Sequence, residues 1–119
     1  MKKLGLLLLI ILWCAVTVSS CAFFRGQLDR MSGFSNYLEE TERYIRNEQW
    51  QKAAVSLDKA TKAWYRVKPY LQVDIDHDYV NDIENDFIRL RGNIETGEKP
   101  NSLALVLLIR NNWRNIGSM

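Results

Sequence analysis

Cysteine and histidine are scarce in this chain, and a surplus of basic charge is missing altogether once its first residues are set aside. Its 119 residues include two cysteines and one histidine. Both cysteines, Cys14 and Cys21, fall in an apolar N-terminal run, so the rest of the chain can form no internal disulfide, no cysteine-ligated zinc site and no cysteine nucleophile. Lys2 and Lys3 account for the whole net charge of +2: from Arg25 onward, 14 Lys and Arg face 14 Asp and Glu. That balance removes the electrostatic footprint of a nucleic-acid binder. No serine sits in a nucleophile elbow, and His77 without a cysteine or a positioned serine cannot build a triad. Gly92-Asn93-Ile94-Glu95-Thr96-Gly97-Glu98-Lys99 has the glycines of a phosphate loop but Glu98 where the lysine belongs, and it follows a helix rather than a strand. The chain is therefore expected not to be an enzyme and to need no cofactor.

What it does have is an uninterrupted apolar stretch. From Leu4 to Phe24 there are 21 residues without a charge, bounded by Lys3 and Arg25. At about 1.5 Å per residue a helix of that length crosses roughly 30 Å of hydrocarbon. Lys2 and Lys3 form a short positive segment of the kind that stays cytoplasmic. The sequence thus divides into residues 1–24, a membrane anchor or lipoprotein signal, and residues 25–119, an extracytoplasmic helical domain held at the bacterial cell membrane. Val18-Ser19-Ser20-Cys21 has the pattern of a lipobox, which makes Cys21 a lipidation candidate. The run continues through Ala22, Phe23 and Phe24, as an uncleaved signal anchor would. Both readings tether the domain, and Cys14 is a small hydrophobe within the run.

The remainder reads as helix. Phe34, Leu38, Thr41 and Ile45 repeat at spacings of four, three and four, with charge on the other faces. After Asn47-Glu48-Gln49, a second helix from Trp50 carries Ala53, Ala54, Leu57, Ala60, Trp64 and Val67. Lys68 and Pro69 are expected to end or kink it. A third starts at Asp76 or Asp78 and buries Val80, Ile83, Phe87, Leu90 and Ile94, up to the terminator Gly97. Asn101 or Ser102 caps a fourth, from Leu103 to about Ile116. Nothing calls for a strand.

The four helices align as two copies of one hairpin. A shift of 49 residues sets Phe34 on Ile83, Leu38 on Phe87, Ile45 on Ile94, Ala54 on Leu103, Leu57 on Val106, Ala60 on Ile109, Trp64 on Trp113 and Val67 on Ile116. The expected fold is all-α: an N-terminal transmembrane or signal-anchor helix, then two helical hairpins forming a small four-helix bundle or a repeat-like stack.

An N-terminal anchor, then Tyr44-Ile45-Arg46-Asn47-Glu48-Gln49-Trp50-Gln51-Lys52-Ala53, then Trp64, then Ile75-Asp76-His77-Asp78 opening a helix resembles a small bacterial family of about this length, the domain of unknown function numbered four-three-six-three. The resemblance covers nearly the whole chain and implies a membrane-anchored helical protein with no assigned activity.

Two features bear on function. Asp74-Ile75-Asp76-His77-Asp78 with Asp82, Glu84 and Asp86 gathers the histidine among carboxylates, and His77, Asp78 and Asp82 are candidate ligands for a divalent ion. The alternative is that Asp76 or Asp78 caps the helix and its neighbours favour the positive end of the dipole, with Arg66 and Lys68 pairing across from them. The tryptophans at 50, 64 and 113 fall at core-periodic positions. In the last helix every residue from Leu103 to Ile109 is apolar, although a surface helix buries one stripe. That surplus is read as an exposed patch, with Leu105 and Leu108 as partner-binding candidates, serving a protein partner or self-association. The sequence therefore describes a membrane-tethered interaction or scaffold module. The alternative is a ligand- or metal-sensing domain built on the His77 segment.

Overall fold

A computed structural model of the chain describes residues 2–71 and 77–116; the side chains of residues 15–22 lie outside the description. It holds α1 (Lys2–Ser32), α2 (Phe34–Arg46), α3 (Trp50–Leu71), α4 (His77–Glu95) and α5 (Lys99–Ile116), with no strand among the described residues.

Charge and apolar spacing fix the four short helices. The buried residues of α2 are Phe34, Leu38, Thr41 and Ile45, and those of α4 include Val80, Ile83, Phe87, Leu90 and Ile94. Each set recurs every three or four residues, so each helix turns a single apolar stripe inward. α2 packs on α3 and α5, and α4 packs on the same two helices, closing a ring. A stack of repeats would put α2 next to α4 and leave α5 out of its reach, so the bundle is the form realised.

The 49-residue repeat is carried by the backbone itself. In the first turn Asn47, Glu48 and Gln49 donate their N–H groups to the carbonyls of Arg43, Ile45 and Tyr44; in the second, Thr96, Gly97 and Glu98 donate to Gly92, Ile94 and Asn93. Each of these six residues and acceptors matches its counterpart at a shift of 49. The left-handed residue is Glu48 (φ 55°) in one turn and Gly97 (φ 69°) in the other. All eight side-chain pairs aligned by the sequence share one burial class, including the half-buried Ala54 and Leu103. Trp64 touches its own counterpart Trp113, with ring centroids 6.3 Å apart, as residues beside an approximate twofold axis must. Phe34 completes the centre, 5.7 Å from Trp64, 4.9 Å from Trp113 and 6.1 Å from Phe87.

Several boundaries differ from expectation. α3 does not stop at Lys68 but runs through Pro69 to Leu71. Val67 and Leu71 are both buried, which holds the last turn in place although Pro69 cannot donate to the Tyr65 carbonyl. α5 starts at Lys99 rather than Leu103, because Pro100 in the first turn needs no N–H partner and suits a helix start. Asn101 donates to the Glu98 carboxylate at 2.9 Å instead of capping. Ser102 is fully buried, and its Oγ has no hydrogen-bond partner. Its counterpart in the first hairpin is Ala53, also fully buried. Ser102→Ala should raise stability by about 1 to 2 kcal/mol in chemical denaturation, because an orphaned hydroxyl is removed without opening space. An unchanged or lower midpoint would show that the hydroxyl is paired.

α1 departs most. Among the described residues no helix is long and apolar enough to cross a membrane, so the span expected over residues 4–24 is not reproduced. The side chains of residues 15–22, the middle of the apolar run and the place of Cys21, lie outside the described residues. Beyond Phe24 the same helix continues through Arg25, Asp29 and Arg30 to Ser32 with no break at the expected boundary. Its last turns belong to the bundle. Leu28 is buried, and Arg25 donates to the Arg114 carbonyl at 2.6 Å, satisfying an end group of α5. Gly33, in left-handed conformation at φ 72°, turns the chain from α1 into α2. There the Asp29 carboxylate accepts from Ser35 N at 2.8 Å and from Ser35 Oγ at 2.5 Å, so the preceding helix supplies the cap that Gly33 cannot.

Candidate interaction surface

The acidic segment around His77 builds no ligand cage. His77 and Asp78 form the exposed first turn of α4, and Asp82 is exposed one turn on. Asp74 and Asp76 lie outside the described residues. Among the described residues no group of three His, Cys, Asp or Glu side chains is placed to hold a metal. Asp78 in the first turn favours the positive end of the α4 dipole.

The half-buried carboxylates Glu84 and Glu42 are held for structure. Glu84 Oε1 accepts from Trp64 Nε1 at 3.1 Å and pairs with Lys68 Nζ at 2.5 Å. Burial pushes the Glu84 carboxyl up, but the Lys68 and Trp64 hydrogen bonds outweigh it, and the net shift is downward. Glu42 is shifted downward for the same reason by Arg46 and Arg110, against its own desolvation. Of the two basic residues expected near the start of α4, Lys68 reaches Glu84, whereas Arg66 donates to the Ser32 carbonyl at 3.3 Å. A carboxyl whose folded pKa is depressed stabilises the fold above its ordinary pKa and stops doing so as pH falls through the folded value. Glu84→Gln keeps an acceptor for Trp64 but removes the titration. Thermal melts from pH 7 down to pH 3 should then show a smaller acid-induced loss for the variant than for the parent; equal losses would mean that Glu84 is not held below its ordinary pKa. Asp86 is the opposite case: desolvation raises it, with Arg89 working against and Asp82 adding to the shift.

The surface that stands out is the outer face of α5. Leu105 is 9% exposed and packs in the core with Val106 and Ile109, so it is not part of an exposed patch. Leu107 and Leu108 are 41% and 49% exposed. The apolar run thus divides between a buried stripe and an outward stripe of Ala104, Leu107 and Leu108, with Leu103 half-buried at its edge. An unbroken apolar run has no contrast, so its phase is hidden from periodicity alone. The repeat supplies the missing phase: a shift of 49 sets Leu107 on Asp58 and Leu108 on Lys59, while Leu105 falls on Ser56.

That correspondence also serves as an internal control. Over residues 51–62 the outward positions of α3 are Gln51, Lys52, Val55, Asp58, Lys59 and Lys62. Their α5 counterparts are Pro100, Asn101, Ala104, Leu107, Leu108 and Asn111, and all twelve are exposed. Over this stretch the same fold position with the same exposure carries four charges in one hairpin and none in the other; one turn on the order reverses, with exposed Tyr65 matched by exposed Arg114. Packing within the bundle cannot account for the difference.

A second surface lies between α3 and α4, a groove of about 360 Å³ with Tyr65 and Ile88 exposed on its walls. Glu84 and Arg91 stand in it, and Arg91 bonds Asp58 at 2.5 Å.

A model of a family described as a domain of unknown function, DUF4363, matches residues 28–119. No curated protein and no solved structure matches the chain.

Proposed function

The chain belongs to the DUF4363 family, a domain of unknown function, and from that premise we propose that it is a membrane-tethered, non-catalytic helical module that docks a protein through the outer face of α5. The uncharged stripe Ala104, Leu107, Leu108 and Asn111, set against its charged counterpart on α3, carries this reading. Exposed apolar stripes of this kind mark interaction sites on soluble domains. The tether is residues 4–24. Leu4 and every side chain from Leu6 to Cys14 belong to an exposed, all-round apolar stretch of α1, and such a helix needs apolar surroundings. Lipid supplies them, with the charged bundle outside the cytoplasm of a bacterial cell.

Replacing Leu107 and Leu108 together with serine should leave helical circular dichroism unchanged and lower stability by only about 1 kcal/mol, since each side chain is about half exposed, while capture of the partner is lost. Leu105→Ser is the contrasting variant. It places a hydroxyl at a buried site and should destabilise by about 2 to 4 kcal/mol. If the Leu107 and Leu108 double variant unfolds like Leu105→Ser, the face is core and the docking reading is wrong.

A further inference from the structure

We infer that the groove between the end of α1 and the end of α3 seats a membrane phospholipid, with its phosphate on Arg66 and its apolar part against Leu28, Met31 and Tyr70; this rests on the tether proposed above and is separate from the α5 face.

The Gly33 bend opens the groove. At the shift of 49, Met31 falls on Val80, which the straight α4 buries, whereas Met31, just before the bend, is 83% exposed. The space left between α1 and α3 is about 280 Å³ and is lined by Leu28, Met31, Ser32, Arg66, Val67 and Tyr70. That lining holds one cation and no carboxylate. Asp29, next to Leu28 in the chain, is engaged with Ser35. Among the described residues Arg66 forms no ion pair; it is exposed, and its Nη2 donates to the Ser32 carbonyl at 3.3 Å. Its other N–H groups keep the planar fork that matches a phosphate, in a charge-assisted hydrogen bond.

Position selects lipid as the source of that phosphate. The chain measures 69 Å along its longest axis, about twice the length of α3, so α1, at 31 residues or about 46 Å, projects from one end of the bundle. The groove lies at that end. Phe24, Leu28 and Met31 are four and three residues apart and share one face of α1, so the groove wall continues without a break into the apolar run. Leu28 and Met31 stand about 6 and 10 Å beyond Phe24, at the height of a polar layer roughly 5 to 8 Å thick on each side of the hydrocarbon. Tyr70 is one turn nearer the end of α3 than Arg66, and Arg66 meets Ser32, the last residue of α1. The order from the hydrocarbon outward is therefore apolar face, aromatic ring, guanidinium, as interfacial aromatic residues and headgroups are layered. A phospholipid has the same order, with its tails below and its phosphate above. The groove has room for the headgroup, and the tails stay in the bilayer. A protein partner would have to push apolar groups into the bilayer to reach the lower wall.

The test uses the full chain in vesicles of equal parts phosphatidylglycerol and digalactosyl diacylglycerol with matched acyl chains, floated on a density gradient. A benzophenone amino acid replaces Tyr70 or, as a control, Ile88, which is also exposed but lies about 16 Å from the start of α4. After irradiation, mass spectrometry should find the phosphatidylglycerol adduct at Tyr70 in about tenfold excess over the galactolipid adduct, and neither at Ile88. Arg66→Gln, which keeps a donor for Ser32, should abolish that preference with unchanged helical circular dichroism. A chain that does not float with the vesicles overturns the tether and this site with it. A chain that floats but gives no lipid adduct at Tyr70, equal adducts of the two lipids, equal yields at Ile88, or an undiminished preference after Arg66→Gln overturns the phospholipid site and leaves the tether standing.

Discussion

Trp64→Ala should lower stability by about 3 to 5 kcal/mol. The indole is fully buried, packs against Phe34 and Trp113, and donates its Nε1–H to Glu84. Removing it opens a cavity beside the approximate twofold axis and leaves the half-buried Glu84 carboxylate with one donor fewer, so transfer and hydrogen-bond losses add. Against a total of about 5 kcal/mol, the low end for a domain, such a loss leaves a large unfolded fraction near physiological temperature. Chemical denaturation followed by far-ultraviolet circular dichroism measures it; a variant that unfolds at the parent's midpoint would place Trp64 outside the core. Trp64→Phe should cost considerably less, because it keeps most of the apolar volume while losing the Nε1 donor.

Phe34→Ala is expected to be as damaging, again about 3 to 5 kcal/mol. The ring from α2 meets aromatic rings from α3, α4 and α5 in tilted and edge-on contacts, so it joins all four helices of the ring. Edge-on aromatic pairs contribute about 0.5 to 1.5 kcal/mol beyond buried area. The counterpart residue in the second hairpin, Ile83, is also fully buried, which suggests the informative comparison. Phe34→Ile should retain much of the buried area but forfeit those pairs, and lose roughly half as much stability as Phe34→Ala. Equal losses would show that burial alone, and not ring geometry, sets the requirement at this position.

Most of the core was legible because its residues alternate with charge. Phe34, Leu38, Thr41 and Ile45 on α2, and Val80, Ile83, Phe87, Leu90 and Ile94 on α4, were readable as stripes and are buried. The repeat was legible for the same reason, and its turns fall where polar triplets interrupt the pattern. Pro69 and Pro100 both misled: a proline signals a stop in sequence, whereas buried Leu71 carries α3 through Pro69 and Pro100 sits in the first turn of α5. The exposed apolar stripe of α5 was half legible. Leu108 was identified and is exposed, but Leu105 was not separable from it, because seven successive apolar residues offer no polar marker of phase. That Lys68 meets an acidic residue of α4 followed from the sign of the charges, whereas Arg66 turns to the Ser32 carbonyl; the Trp64 bond to Glu84 was not legible, because an indole N–H carries no signature in sequence.

The unbroken path of α1 from Lys2 to Ser32 also governs reach. A flexible linker of ten residues would let a tethered domain wander over roughly 15 to 20 Å and meet partners at many heights and angles. Here Arg25 and Leu28 lock the helix to the bundle before the Gly33 bend, so under the proposed anchoring the domain has a fixed elevation and a fixed tilt. Its freedom is reduced to sliding in the plane of the membrane and spinning about one axis. Encounters become two-dimensional, and a neighbour is met only when it stands at the same height with the matching face turned inward. The continuous helix thereby acts as a ruler, admitting partners by elevation before any side chain is compared.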